Sequence, residues 1–422
     1  MSLNLRSNLS NLSIASLTLS LLSLPLAAQT LATGDTRTVT QPSNPAVCMT
    51  LTAQFKTSQR ASPPASDDTS RVQSALTSCE NTGKSVVLAV NGSDNAFFTN
   101  QINVTGEALV INSGVTLYAA TAYTSKSELI NITGNNSGLY GPGTVDGRGD
   151  IVTGGTPRLV QTKNVNNLIV YNVTLAQALH PNLYIEGGNG ATIWSLTVRT
   201  PATRANADGV DIDSITNVTL NQSSIEAGDD GIAVKTNSAA ASNITVENTR
   251  IYGTHGLSIG SQTFDGVTNV LFNNDYVYGT DLNGTASTDA NAINIKSDPE
   301  CGGPVNKVLY KNICMTGVKH LIVFDTDYGS CSGTAGAPVY TNIVVNGAKS
   351  VSSMSGAYTR IRGVSTSNVI NAYLANISLD VTTQSTDQYA IVDLDNSNIT
   401  PSGTGVTTHA FTLSGSVPAC SF

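Results

Sequence analysis

The chain has 422 residues, of which 12% are charged and 40% hydrophobic, and a formal net charge of −8. So little charge with so much apolar residue excludes an intrinsically disordered chain, and the length allows a large core within one unit. The negative balance argues against a nucleic-acid partner, and any anionic ligand would need a local basic patch.

Residues 1–28 read as a secretory signal peptide: one arginine, a Leu-rich run from Ile14 to Leu26, then Ala27 and Ala28. The run is too short and too often interrupted by serine to span a bilayer, and no later segment is long enough, so a secreted, extracellular protein with no membrane partner is expected. Residues 29–65, rich in Thr, Ser, Pro and Ala, are expected to form an extended N-terminal arm. Residues 66–422 are expected to form a single domain that opens with a short capping helix over DDTSRVQSALTSC, where Asp67 or Asp68 is placed to cap and Val72, Leu76 and Cys79 share a face. The six cysteines, Cys48, Cys79, Cys301, Cys314, Cys331 and Cys420, lack C-x-x-C spacing and in a secreted chain point to disulfides rather than a metal site. Cys48 with Cys79 is the expected pair; the other four leave three pairings open.

From Ser85 onward short alternating runs such as SVVLAV, GVTLYA, LIVYNVTL, ATIWSLTV and NITVENTRI recur every twenty-odd residues between Gly, Asn and Asp. Aligned on a small residue followed by apolar-x-apolar, Gly209-Val210-Asp211-Ile212, Gly231-Ile232-Ala233-Val234, Gly256-Leu257-Ser258-Ile259 and Ala292-Ile293-Asn294-Ile295 fall into one register. The steps are 22, 25 and 36 residues, the last lengthened by the polar loop GTDLNGTASTDAN. Such a period with several short strands per turn predicts an all-β parallel β-helix, in which no coil is stable alone. Asn, Ser and Thr suit its corners because stacked side chains can hydrogen-bond along the column.

Stacking gives the spacing chemical meaning, since residues one repeat apart become neighbours at about 4.8 Å. Asp208, Asp230 and His255 fall into one column, and parity turns Asp211, Asp213, Lys235, Asn294 and Lys296 away from the core. A lone Asp-Gly is ordinary turn chemistry. Three aspartates, a histidine and lysines from successive coils at one strand edge are not, because turns would scatter them over all corners. Crowded carboxylates separate into proton holders and bases, which is the requirement of glycoside hydrolysis.

The segments NADGVDI, AGDDGIAVK, GTHGLSIGS and INIKS, in that order, resemble the four motifs of glycoside hydrolase family 28, the polygalacturonases, most closely the secreted bacterial endo-acting ones. The similarity extends through DTRTV, GLYGPGTVDGRG, TPRLVQ, SDPECGG and FDTDYG. It implies a right-handed parallel β-helix acting on the α-1,4-linked galacturonate backbone of pectin, with inversion and without cofactor or metal, as a monomer. By motif position it makes Asp229 the general acid, Asp208 and Asp230 the holders of the attacking water, and His255 the support of the acid's protonation state. Lys296 would bind a galacturonate carboxylate and Tyr328 the sugar, with Lys235 beside Lys296 in a basic strip. The coil spacing taken alone would suit a retaining pair of carboxylates at about 5 Å better than an inverting pair.

Three positions depart from the pattern. Ala207 stands for threonine, Gly231 for a cysteine common in relatives, and Asn294 for an arginine. The last removes a charged, bidentate carboxylate contact, so weaker binding of polygalacturonate or a taste for a less charged chain is expected. A calcium-assisted lyase, another pectin-backbone hydrolase, and a binding β-helix without catalysis are the competing readings.

Overall fold

The computed structural model describes residues 31–300, 302–329 and 336–422. The expected signal peptide, Cys301 and Cys331 lie outside them.

Strand residues alternate between core and surface, and each strand pairs in parallel with its counterpart one coil on. The strands Val210–Asp213, Thr216–Asn221 and Ser224–Glu226 of one coil pair with Ile232–Thr236, Ala241–Glu247 and Arg250–Tyr252 of the next. Repetition of this pattern gives three parallel faces wound into a right-handed β-helix, the hand expected where parallel strands are joined by crossovers. The register is the one read from the repeat: Val210 lies beside Ile232, Ile232 beside Leu257, and Leu257 beside Ile293. All four are wholly buried in one continuous apolar column. The intervening residues Asp211, Ala233, Ser258 and Asn294 form a single row on the outer side of the first face.

The corners hold asparagine ladders. Asn217, Asn243 and Asn269 each adopt positive φ, and each amide donates to the preceding Oδ1, from Asn269 through Asn243 and Asn217 to Asn189, at 2.8, 3.1 and 2.9 Å. Asparagine tolerates this left-handed backbone while its short amide reaches one coil spacing, so one residue type meets both demands.

The helix Thr69–Cys79 covers the N-terminal end, burying Val72, Ala75, Leu76 and Cys79. Asp68 does not cap it through its side chain, because its carboxylate is taken by Arg71 and by the Phe98 N–H; Asp67 accepts from the Thr69 N–H at 2.9 Å. Cys48 is bonded to Cys79, and Cys314 to Cys420. The segment from Thr33 to Gln41 runs extended along the second face and is pinned there: Asn269 Oδ1 accepts from the Thr33 N–H, Thr245 Oγ1 from the Asp35 N–H, and the Ala191 carbonyl from Arg37.

Asp275 is a wholly buried corner residue whose Oδ1 accepts from the Thr249 N–H while Oδ2 has no partner. Burial pushes its carboxyl well above the ordinary range. A carboxyl with a raised folded-state pKa binds its proton more tightly folded than unfolded, so stability falls as pH rises from the ordinary carboxylate value through the raised one. Asp275→Asn is therefore expected to raise the thermal midpoint at pH 7 and to leave it near wild type at pH 4; scans at both pH values check this.

Candidate active site

The first face carries the site. Asp208 and Asp230 each stand one glycine before their strands, and the Gly209 N–H donates to the Asp230 carbonyl at 2.9 Å, which fixes the two corners one coil apart. A Cβ on Gly209 would lie 2.3 Å from the Gly231 carbonyl oxygen, and one on Gly231 would lie 2.5 Å from Ile251 Cγ2. Glycine at both positions is thus a packing requirement of the acidic corner, and no cysteine fits at 231. Ala207 is buried beside them.

Each carboxylate of the cluster has a cationic neighbour. Asp229 Oδ1 lies 2.9 Å from His255 Nδ1, and the His255 N–H donates to the Asp229 carbonyl at 2.7 Å. Lys296 Nζ lies 3.1 Å from Asp230, two coils back from its own strand. Gly260 lets the strands close behind it, since a Cβ there would sit 1.8 Å from the Lys296 carbonyl oxygen. Lys235 Nζ is 2.8 Å from both Asp208 and Asp211. The expected grouping of Asp208, Asp229, Asp230, His255 and Lys296 is present in one place.

One expectation needs correction. Lys235 is not free to bind a ligand, because its ammonium is held between two carboxylates in a site where Asp208 is 6% and Asp211 1% exposed. Asn294 is 4% exposed and lines a cavity with Tyr328, His320 and Arg360, while its amide donates to Ser258 Oγ at 3.2 Å and Ser258 Oγ donates to Asp230 Oδ1 at 2.7 Å. It positions Asp230 through Ser258. Arg204 donates to the Gly149 carbonyl. Tyr328, by contrast, is 45% exposed, with Lys296 Nζ 5.2 Å from its ring centroid.

Ser258 belongs to the row that parity already defined, so the alternation of GTHGLSIGS carried a signal for it. Asp289 and His320 carried none, because the contact joins the inserted loop to a later strand: His320 Nδ1 lies 2.7 Å from Asp289. His180 faces Asp208 across a cavity, and burial lowers its pKa, which favours the neutral imidazole.

The titration of the cluster is uneven. Burial would raise Asp229, but the hydrogen bond and charge of His255 override it and hold the carboxyl at about 2. Burial likewise would lower His255, and Asp229 reverses that, so its pKa is raised. The two form one unit that carries a single proton across the neutral range. Burial pushes Asp230 up against the opposing charge of Lys296, which makes it the stronger base of the adjacent pair. Asp211, more deeply enclosed, is pushed well up by burial and by the charge of Asp208. Donor atoms of Asp229, Asp230 and His255 lie within 4.8 Å of one another and could in principle ligate a cation. His255 is bonded to Asp229 and the Lys296 ammonium lies against Asp230, so a metal ion would have to break the first contact and displace the ammonium.

A proton-sharing acid, a buried base and a lysine beside an exposed tyrosine, all on one face of a parallel β-helix, define an acid–base enzyme of the solenoid polysaccharide-cleaving kind. Sequence comparison gives the family: the description "Glycosyl hydrolases family 28" matches residues 79–399. An endo-polygalacturonase of Pectobacterium parmentieri is 33% identical over 335 residues, 70% of this chain and 78% of that protein. The solved polygalacturonase from Erwinia carotovora ssp. carotovora superposes with a TM-score of 0.70 at 29% identity, covering 89% of this chain and 100% of that one. The chain belongs to glycosyl hydrolases family 28 and is a glycoside hydrolase. The fold would not have decided this alone, since PfbA, a surface adhesin of Streptococcus pneumoniae, shares it with a TM-score of 0.54 at 10% identity, covering 82% of this chain and 90% of that one.

Lys235→Met would leave Asp208 beside Asp211 with no compensating charge. Removing one partner of a buried ion pair costs about 3 kcal/mol or more, so a fall of that order in unfolding free energy is expected at pH 7. The deficit should shrink at pH 4, where the carboxyls take up protons; denaturant titration at the two pH values measures it.

Proposed function

We propose that this enzyme is a secreted endo-polygalacturonase that hydrolyses α-1,4-galacturonosyl linkages of pectin with inversion of configuration. The observation that carries the reading is the convergence of Asp208, Asp229, Asp230 and His255 on one strand edge, with Lys296 and Tyr328 alongside. The polygalacturonases among its relatives support the substrate. Two disulfides, which persist in oxidising compartments, support secretion, as does the leader expected over residues 1–28. All the groups named belong to one chain, so a monomer suffices.

In this reading Asp229, more exposed than Asp230 (24% against 4% of the side chain), reaches the glycosidic oxygen and protonates it as the C1–O bond breaks. A carboxyl held at about 2 is a poor reservoir by itself. The proton is therefore stored on His255 and moves from Nδ1 through Asp229 to the leaving sugar. Asp230, the stronger base, and Asp208 take up the proton of a water that attacks C1 from the opposite face. Lys296 and Tyr328 hold the carboxylate and ring of the adjacent galacturonate.

Asp229→Asn, which cannot donate a proton, is expected to lower kcat by about 10³-fold or more while the protein still binds oligogalacturonate. Equal turnover would overturn the assignment. Incubated with polygalacturonate, the wild type should yield a ladder of oligomers with new reducing ends, insensitive to chelator and without an ultraviolet-absorbing unsaturated product. NMR of the first-formed anomer tests inversion.

The raised His255 pKa sets the alkaline limb of the rate profile, because the shared proton is lost as pH rises through it. In His255→Gln that store is gone and only the carboxyl remains to hold the proton. The alkaline limb of kcat is expected to move to lower pH; an unmoved limb would exclude the proton relay.

A further inference from the structure

On the side of Asp208 away from Lys296 lies a cavity of about 250 Å³, lined by Arg158, His180, Tyr184, Asp208, Asp211 and Lys235 among others. Arg158 begins the strand Arg158–Lys163 and leans toward the next coil, its Cζ 3.9 Å from the ring centroid of Tyr184. One guanidinium nitrogen donates to Gln161 Oε1 at 2.8 Å, and Nε is buried with no partner. Its register partner on the preceding coil is Glu128, but that carboxyl accepts from Gln101 and, among the described residues, no carboxylate lies within 4.0 Å of Arg158. Lys235 is committed to Asp208 and Asp211, so Arg158 is the cation of this lining whose guanidinium has no carboxylate within 4.0 Å among the described residues.

The same pairing of a cation with a tyrosine ring stands on the other side of the aspartates, where Lys296 Nζ is 5.2 Å from Tyr328. The Arg158 and Lys296 strands are separated by five coil steps. Arg158 leans one coil forward over Tyr184 and Lys296 Nζ reaches two coils back to Asp230, so the charged groups stand about two coil steps, roughly 10 Å, apart with the Asp208 coil between them.

We propose that Arg158 and Tyr184 form a second uronate subsite, in which the guanidinium binds a sugar carboxylate on the Asp208 side of the scissile bond and the tyrosine ring supports the sugar. The subsite rests on the proposed action on a galacturonate polymer. It places a cation on each side of the bond to be cut, and it supplies in a different place the arginine that Asn294 lacks. A planar fork suits a carboxylate there, and its stacking on Tyr184 fixes its direction in advance.

The test is calorimetric titration of an oligogalacturonate long enough to cross both cations, and of its methyl ester, into wild type, Arg158→Gln and Arg158→Lys, with thermal midpoints recorded for each. A hydrogen-bonded charged contact of this kind corresponds to about a tenfold loss of affinity or more. Arg158→Gln is expected to lose that factor for the free acid and to match wild type for the ester, with Arg158→Lys in between. Equal affinity for the free acid, or an equal loss for acid and ester, would overturn the subsite. A wild type that binds the oligomer in this pattern yet releases no reducing ends would sink the hydrolase reading and leave the subsite standing. Cleavage by a wild type that Arg158→Gln equals in affinity would do the reverse.

Discussion

Everything in this molecule depends on one repeated interaction, the parallel hydrogen bonding of each coil to the next at a single strand spacing. It turns a distance along the chain of 22 or 25 residues into a distance in space of about 4.8 Å. Catalytic groups that are far apart in sequence therefore need no long loops to meet. They need only stand at equivalent positions of successive coils, and a shift of one residue in any coil would turn its aspartate or lysine toward the core. The unbroken column of Val210, Ile232, Leu257 and Ile293 is what prevents that shift.

The fold was legible because its periodicity is local and redundant. Four aligned segments gave the register, and the same alternation told which residues leave the core. Asp208, Asp230 and His255 were legible for the same reason, whereas Asp229 took its part from the family resemblance. What could not be read was the direction of long side chains. Lys235 and Lys296 share a parity, yet Lys235 is caught between Asp208 and Asp211 while Lys296 crosses two coils to Asp230. That difference is a property of the packed structure and not of the repeat. Arg158 stood in the matched segment TPRLVQ, but nothing there assigned it a role, since its meaning depends on leaning over Tyr184 and not on its neighbours in sequence.

The electrostatics of the site follow from crowding in a partly dry place. Four carboxyls share one strand edge, and the surrounding cations keep the local charge tolerable inside a chain that is acidic as a whole. Identical side chains thereby acquire different proton affinities: Asp229 falls because histidine faces it, while Asp230 and Asp211 rise because water does not. Adjacency of Asp229 and Asp230 is useful because their two environments are so unlike.

The N-terminal segment has a mechanical consequence. A stack of coils is a one-dimensional assembly that can peel from either end, one layer at a time. Between Asp35 and Gln41 the chain bonds to Thr245, Thr219, Asn217, Ala191 and Tyr171, and through Thr33 to Asn269, positions on five successive coils. These are the coils whose opposite faces carry Arg158, Tyr184, Asp208, Asp230 and His255. The strap works as a batten nailed across the back of the layers that bear the cleft, so they open together or not at all, and fraying that begins at the far coils stops where the batten begins.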